Sequence, residues 1–338
     1  SRRAVLRGLG GTAVSLPLKQ QVTIGSDNAI RRYRFTGTAG TLLHTKAHPV
    51  GSGFFTLARA GVVIAGAGGN SGFPTDQTTS VLDVDGEYTL DVVCEFGCNG
   101  TAFLVSVATP QTIALDASVH SSIAVAQDVV GFVFDAPAAG NYAVGIYDDD
   151  SGLNGTDAQL FSPSGENLNM AISDLGVLRF ALLTPGRQTL DVKNTGGGTG
   201  GFTVGVANVQ DPVAVAFNGA TAMQSGQIAS AGDVIFYTVA LTAGDHPRLT
   251  IDTPRADINV ANSGLRARAR LLASNNPPFG GNTVATAITG GDVGTETHNA
   301  NIGTATANQT GTYVVEITTS TTGTSQLTGA FTWSVTKE

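Results

Sequence analysis

Asp148-Asp149-Asp150-Ser151-Gly152-Leu153-Asn154-Gly155-Thr156-Asp157 gathers carboxylate and amide oxygens in one short, bendable segment. Hard divalent cations take several such oxygens from a tight loop, and glycines allow the bends. Asp148, Asp150, Asn154 and Asp157 are therefore the candidate calcium ligands. The order departs from an EF-hand at Gly152 and no Glu closes the loop, so an acidic turn between two strands is the competing reading.

Other chemical signals fail on inspection. Val62-Val63-Ile64-Ala65-Gly66-Ala67-Gly68-Gly69-Asn70-Ser71-Gly72 imitates a dinucleotide fingerprint, but Ser71 stands where the third glycine belongs. No amphipathic helix follows to present its N-terminus to a pyrophosphate, which leaves a β-turn or bulge. Nucleophile-elbow, zincin and P-loop patterns are absent from the sequence. His44 and His48 fit one strand face, but two ligands do not make a zinc site. The expectation is a protein with no catalytic residues, no cofactor site other than calcium, and no enzymatic activity.

Cys94 and Cys98 enclose Glu95-Phe96-Gly97 in what reads as a hairpin loop. Such a loop brings two Cβ atoms within bonding range, so an exported chain would form a disulfide there. Its effect is local, below the roughly 3 kcal/mol of a 15-residue loop. Arg266, Arg268 and Arg270 alternate along one strand face, either to dock an acidic neighbour or to keep an edge solvated. Asn99, Asn154 and Asn308 begin Asn-x-Thr sequons.

The composition points to the elements that carry these residues. Of 338 residues 44 are Gly, only 13% are charged, and 41% are hydrophobic, a mixture suited to short strands joined by tight turns around real cores. No apolar run reaches the roughly 18 residues of a membrane helix. A net charge of −8 argues against nucleic acid as a partner. The charge is also uneven: residues 1–34 carry seven cations against Asp27, a net of +6, and the remaining residues sum to −14. A basic end on an acidic body suits docking against another copy, or marks an export signal or solvated tail.

Ser1-Arg2-Arg3-Ala4-Val5-Leu6-Arg7 resembles a twin-arginine export motif, without a preceding Met or a following A-x-A cleavage site. Export to the extracellular space or cell surface is expected. Within Ala13–Lys19, Val14, Leu16 and Leu18 fall on one side of an extended strand, with Pro17 tolerated at a sheet edge. Residues 1–20 thus read as a retained signal or as an assembly arm whose Val14, Leu16 and Leu18 add a strand to a neighbouring subunit.

Self-comparison reveals three repeats. An aromatic-x-[FV] block followed by Ala-Gly occurs at Tyr33-Arg34-Phe35, Phe132-Val133-Phe134 and Tyr237-Thr238-Val239. A second strand ends near Leu57, Leu160 and Leu271. The third block begins at Gly86, Gly186 and Gly311, and strands at Phe103, Phe202 and Phe331 close each repeat. The Ala-Gly turn and the third block are 46, 46 and 67 residues apart, placing a 21-residue insertion in the last repeat, between Asn275 and Gln309. The expected fold is all-β: an arm at 1–20 and three tandem jelly-roll-like antiparallel β-sandwiches at 21–109, 110–209 and 210–338.

These blocks, in this order, resemble the bacterial pre-peptidase C-terminal domain family. That resemblance implies a jelly-roll-like sandwich of the kind appended to secreted exoenzymes, with no catalytic residues of its own. The usual setting of that family, behind a peptidase domain, is not expected for these repeats. The functional expectation is an extracellular structural protein, a self-assembling filament or surface-layer subunit joined by N-terminal strand donation. The alternatives are an adhesive or carbohydrate-binding protein that recognises a surface glycan, or accessory modules of a secreted enzyme. Trp333, the one Trp, reads as core and not as a sugar platform.

Overall fold

The computed structural model describes residues 10–25, 29–48, 52–69, 77–96, 102–124, 128–148, 153, 156–164, 168, 179–194, 198–254, 265–276, 280–288, 303–319 and 327–338. Those residues form strands and turns, with no helix among them.

The first group of strands is β1 (Thr12–Ala13), β2 (Leu18–Thr23), β3 (Ile30–Gly37), β4 (Leu42–His48), β5 (Ser52–Arg59), β6 (Val62–Gly69), β7 (Gln77–Val81), β8 (Gly86–Phe96) and β9 (Ala102–Ala108). They make two sheets, β1-β3-β8-β5-β6 and β2-β9-β4-β7. The second group is β10 (Gln111–Thr112), β11 (Ala117–Ile123), β12 (Val129–Ala136), β13 (Gly140–Asp148), β14 (Thr156–Phe161), β15 (Arg179–Leu183), β16 (Gly186–Asn194) and β17 (Gly200–Asn208). Its sheets are β10-β12-β16-β14 and β11-β17-β13-β15.

The third group is β18 (Val213–Ala214), β19 (Thr221–Ile228), β20 (Val234–Leu241), β21 (Pro247–Asp252), β22 (Ala267–Asn276), β23 (Gly280–Ile288), β24 (Gly303–Thr304), β25 (Gly311–Thr319) and β26 (Gly329–Lys337). Its sheets are β18-β20-β25-β22-β23 and β19-β26-β21-β24. Leaving aside β1 and β18, the strands of the first and third groups fall in the order 1-8-3-6 in one sheet and 2-7-4-5 in the other, a jelly roll. The 1-8-3-6 sheet is the inner-order sheet and the 2-7-4-5 sheet the outer-order sheet; in the second sandwich β11-β17-β13-β15 is inner-order and β10-β12-β16-β14 outer-order.

Register confirms the sequence blocks at the level of single residues. Tyr33, Phe132 and Tyr237 lie opposite Leu90, Leu190 and Val315. Leu57, Leu160 and Leu271 meet the same three partners from the other side. Alternation buries these residues in three apolar cores. The sheets are not wholly antiparallel, because β1, β10 and β18 each pair in parallel, at Thr12↔Tyr33, Gln111↔Phe132 and Val213↔Tyr237. The third block also carries a lock that motif spacing does not reveal. The side chains of Tyr88, Gln188 and Tyr313 donate to the carbonyls of Val84, Thr184 and Gln309, at 2.6, 2.8 and 2.9 Å. Each bond spans four residues and fixes the turn into the strand, like the tyrosine corner of other sandwiches.

Three expectations need correction. Residues 12–20 are not a separate arm: β1 lies in one sheet of the first sandwich and β2 in the other, paired with β9 from Leu18↔Val107 onward. Leu18 is 6% exposed in the first core and Val14 and Leu16 pack against it, so these apolar side chains are already used within their own sandwich. The insertion of the third repeat is divided. Thr45 to Leu57 spans 12 residues but Leu249 to Leu271 spans 22, and Leu57 to Leu90 spans 33 against 44 from Leu271 to Val315. Finally, most of the glycine run at 62–72 is the edge strand β6. Its turn from β5 is built by Ala60 and Gly61, at φ of 48° and 81°, and its bulge lies at Ile64, opposite Leu57/Ala58.

Candidate functional site

The burial patterns of equivalent strands differ, and the difference locates the contact surfaces. A strand with one solvated face alternates, whereas one covered on both faces is buried throughout. β3 alternates, but β12 is buried at every position from Val129 to Phe134. β26 alternates, but β17 is buried from Val204 to Ala207. Faces are therefore covered between the sandwiches and open at the two ends of the series.

At the first junction the outer face of the inner-order sheet of sandwich one packs on the outer-order sheet of sandwich two. Lys19 on β2 donates to Asp128 Oδ2 at 2.5 Å, and the Asp128 side chain is completely buried. His44 on β4 places Nε2 3.2 Å from Asp191 Oδ1 on β16, with both side chains under 5% exposed. Gly131, directly opposite Asp191, creates the slot: a Cβ there would lie 2.9 Å from His44 Cγ. In sandwich one the corresponding residue is Arg32, which fills the equivalent space itself. It makes a bidentate pair with Asp91, 2.6 Å on each arm, and this raises the Arg32 pKa.

The second junction uses the same two kinds of face. Ser118 on β11 occupies the place of Lys19, since they lie opposite Gly205 and Ser106 respectively. Ser118 Oγ accepts the Ala231 N–H at 2.7 Å. Asp233 occupies the place of Asp128 and braces this turn, accepting the N–H groups of Ala229 and Ser230 at 2.5 and 2.9 Å. Gly145 and Gly205 admit the Ala231-Gly232 backbone, and a Cβ on either would overlap it. Beside them Ala143 joins Val234, Phe236, Leu272 and Val314 in a small apolar cluster. Tyr147 is buried, which raises its pKa, with Arg268, Thr319 and Asp233 among its surroundings.

Asp150, Asn154 and Cys98 lie outside the described residues, as do Ser1–Arg7. Asp148 ends β13 and Asp157 lies on β14, in opposite sheets, while Leu153 between them is fully buried in the second core. Among the described residues no group of three or more His, Cys, Asp or Glu is arranged to hold a metal ion. Cys94 is fully buried on β8. Trp333 is fully buried against Tyr237, 5.0 Å between ring centroids. Arg266, Arg268 and Arg270 are all partly exposed, and Arg270 pairs with Glu316 of its own sandwich at 2.6 Å. Burial lowers the Arg268 pKa, with Tyr147 of the preceding sandwich nearby. Lys19, His44, Asp128, Gly131 and Asp191 were not singled out for this role by motif. The signal available was the unbroken Val129-Val130-Gly131-Phe132-Val133-Phe134 run, read against Arg31-Arg32-Tyr33-Arg34-Phe35.

No helix is long and apolar enough to cross a membrane among the described residues. No protein-family model matches the chain, and no curated protein matches it. Among solved structures it is similar to the pre-peptidase C-terminal domain of a Bacillus anthracis collagenase, with 17% identity over 29% of this chain and 93% of that one, at a TM-score of 0.25. Periplasmic inhibitors of g-type lysozyme from Aeromonas hydrophila and Salmonella Typhimurium are similar at 16% and 17% identity. They cover 28% and 29% of this chain and 96% and 97% of theirs, each at a TM-score of 0.22. Likenesses this remote carry no functional argument.

Proposed function

We propose that the chain is a non-enzymatic, extracellular structural protein that works as a stiff spacer made of three stacked sandwiches. The observation that supports this is the repeated junction, in which buried side-chain pairs or close backbone contact join each sandwich to the next. The linkers add little freedom, because only Thr109-Pro110 separates β9 from β10 and Val209–Pro212 separates β17 from β18. Six sheets spaced by about 10 Å make a short rod on the order of 50 Å between its first and last sheets. Strand donation through Val14, Leu16 and Leu18 is not part of this proposal, since those residues complete their own sandwich.

Small-angle scattering combined with electron microscopy tests the spacer reading. A single elongated envelope at all salt concentrations is expected, and a broad distribution of bend angles between sandwiches would refute it. Two local features belong to the same exported setting. A Cys94–Cys98 disulfide would make the chain unreactive to thiol reagents when denatured without reductant. Calcium at the Asp148–Asp157 loop would raise the melting temperature of the second sandwich, an effect that chelator should reverse.

A further inference from the structure

Resting on the stacked-sandwich reading, we infer that the two open end faces bind each other, so that a second copy of this chain docks head to tail. The contact between sandwiches is heterologous: an inner-order face meets an outer-order face at both internal junctions. A contact of this kind, used in series, leaves one unmatched face of each type at the ends and propagates unless the rotation closes a ring. Here the unmatched faces are the β19-β26-β21 surface of sandwich three and the β3-β8-β5 surface of sandwich one.

At the place of Lys19 and Asp128 these ends match as the internal faces do. Lys19 and Ser118 hold the same place and both reach into the next sandwich. On sandwich three that place belongs to Met223, opposite Ser334 and 62% exposed. The receiving place, just ahead of the strand, holds Asp128 in sandwich two and Asp233 in sandwich three, and Ala29 in sandwich one. The lysine is thus matched with a carboxylate, and the exposed methionine with an alanine. Replacing both partners together in this way preserves complementarity, whereas Met223 against an aspartate would bury an unpaired charge.

One neighbouring position agrees with this. Ser334 corresponds to Ser106, which is 3% exposed within the first junction, so a side chain of this size fits there. Arg248 corresponds to His44, which meets Asp191, and the counterpart of Asp191 on sandwich one is Asp91. Among the described residues Arg248 pairs with the exposed Glu338 at 3.4 Å, and Asp91 already carries Arg32. On sandwich one Arg32 fills the space that Gly131 leaves for His44, so Arg248 does not repeat the His44 contact and this position adds nothing to the match.

Sedimentation velocity of the full 338-residue chain tests the proposal. The expected result is a sedimentation coefficient that rises with concentration, and an association weakened about tenfold by Met223→Lys, equivalent to roughly 1.4 kcal/mol. Mixing the Met223→Lys chain with an Ala29→Asp chain should restore association between the two variants, through a pair equivalent to Lys19–Asp128. Ala29 is partly buried, so its melting curve is recorded alongside. Should that variant not fold, Ser334→Arg, on the partly exposed outer face, must still reduce association. A chain that stays monomeric throughout, or associates equally well with Met223→Lys or Ser334→Arg, overturns the inference. A rigid monomer in scattering would leave the spacer reading standing, whereas a flexible one would remove that reading too.

Discussion

At the first junction Lys19 and His44 reach across to Asp128 and Asp191, whereas at the second Gly145 and Gly205 let the Ala231-Gly232 turn approach their backbone. The same pair of faces is joined by long side chains in one case and by their absence in the other. The place of Lys19 is taken by Ser118, and that of His44 by Ala143, so the second contact is closer and more apolar. Position in the stack is therefore conserved by geometry while its chemistry varies. Each junction should fail by its own route when disturbed.

The largest effect is expected at the close-packed junction. Gly205→Val would place a side chain in the Gly232 backbone, where neither can yield without separating the sandwiches. A loss of about 3 kcal/mol or more is expected, and calorimetry should show the third sandwich melting apart from the others. At the charged junction Lys19→Ala leaves Asp128 buried without its cation. The cost should be about 2 kcal/mol, at the low end for a buried pair because Lys19 itself is 38% exposed. Ser118→Ala, in the equivalent place, removes one neutral hydrogen bond and should cost about 1 kcal/mol. If Ser118→Ala costs as much as Lys19→Ala by denaturant titration, the division between a charged and a packed junction is wrong.

Most of the fold was legible because core positions repeat in type: Tyr33, Phe132 and Tyr237 with Leu90, Leu190 and Val315 meet the same steric need three times. The parallel strands β1, β10 and β18 were not, since two residues carry no periodicity. Val14, Leu16 and Leu18 fit one face of an extended strand by alternation, but only Leu18 lies in a strand, and Val14 and Leu16 belong to the link that carries the chain from β1 in one sheet to β2 in the other. The junctions were the least legible part. His44 and Asp191 are 147 positions apart in sequence, and Gly131 informs only when set beside Arg32 at the same register.

The smallest effect concerns Asp252, which stands where Tyr147 stands in sandwich two. Tyr147 is covered by the third sandwich, while Asp252 lies half-buried on the end face with no partner for Oδ1 among the described residues. Partial burial raises its pKa above the ordinary 3.8. The folded state then holds its proton more tightly than the unfolded chain, so stability falls as pH rises from the ordinary value through the raised one. Above that window the ionised carboxylate is a standing cost, relieved only on acidification. Asp252→Asn removes the charge and should raise the melting temperature of the third sandwich at neutral pH by about 1 °C. The gain should vanish below about pH 3, where the aspartate is protonated in both states. A gain that persists there would mean that amide hydrogen bonding, and not the exposed end of the stack, sets the energetics of this position.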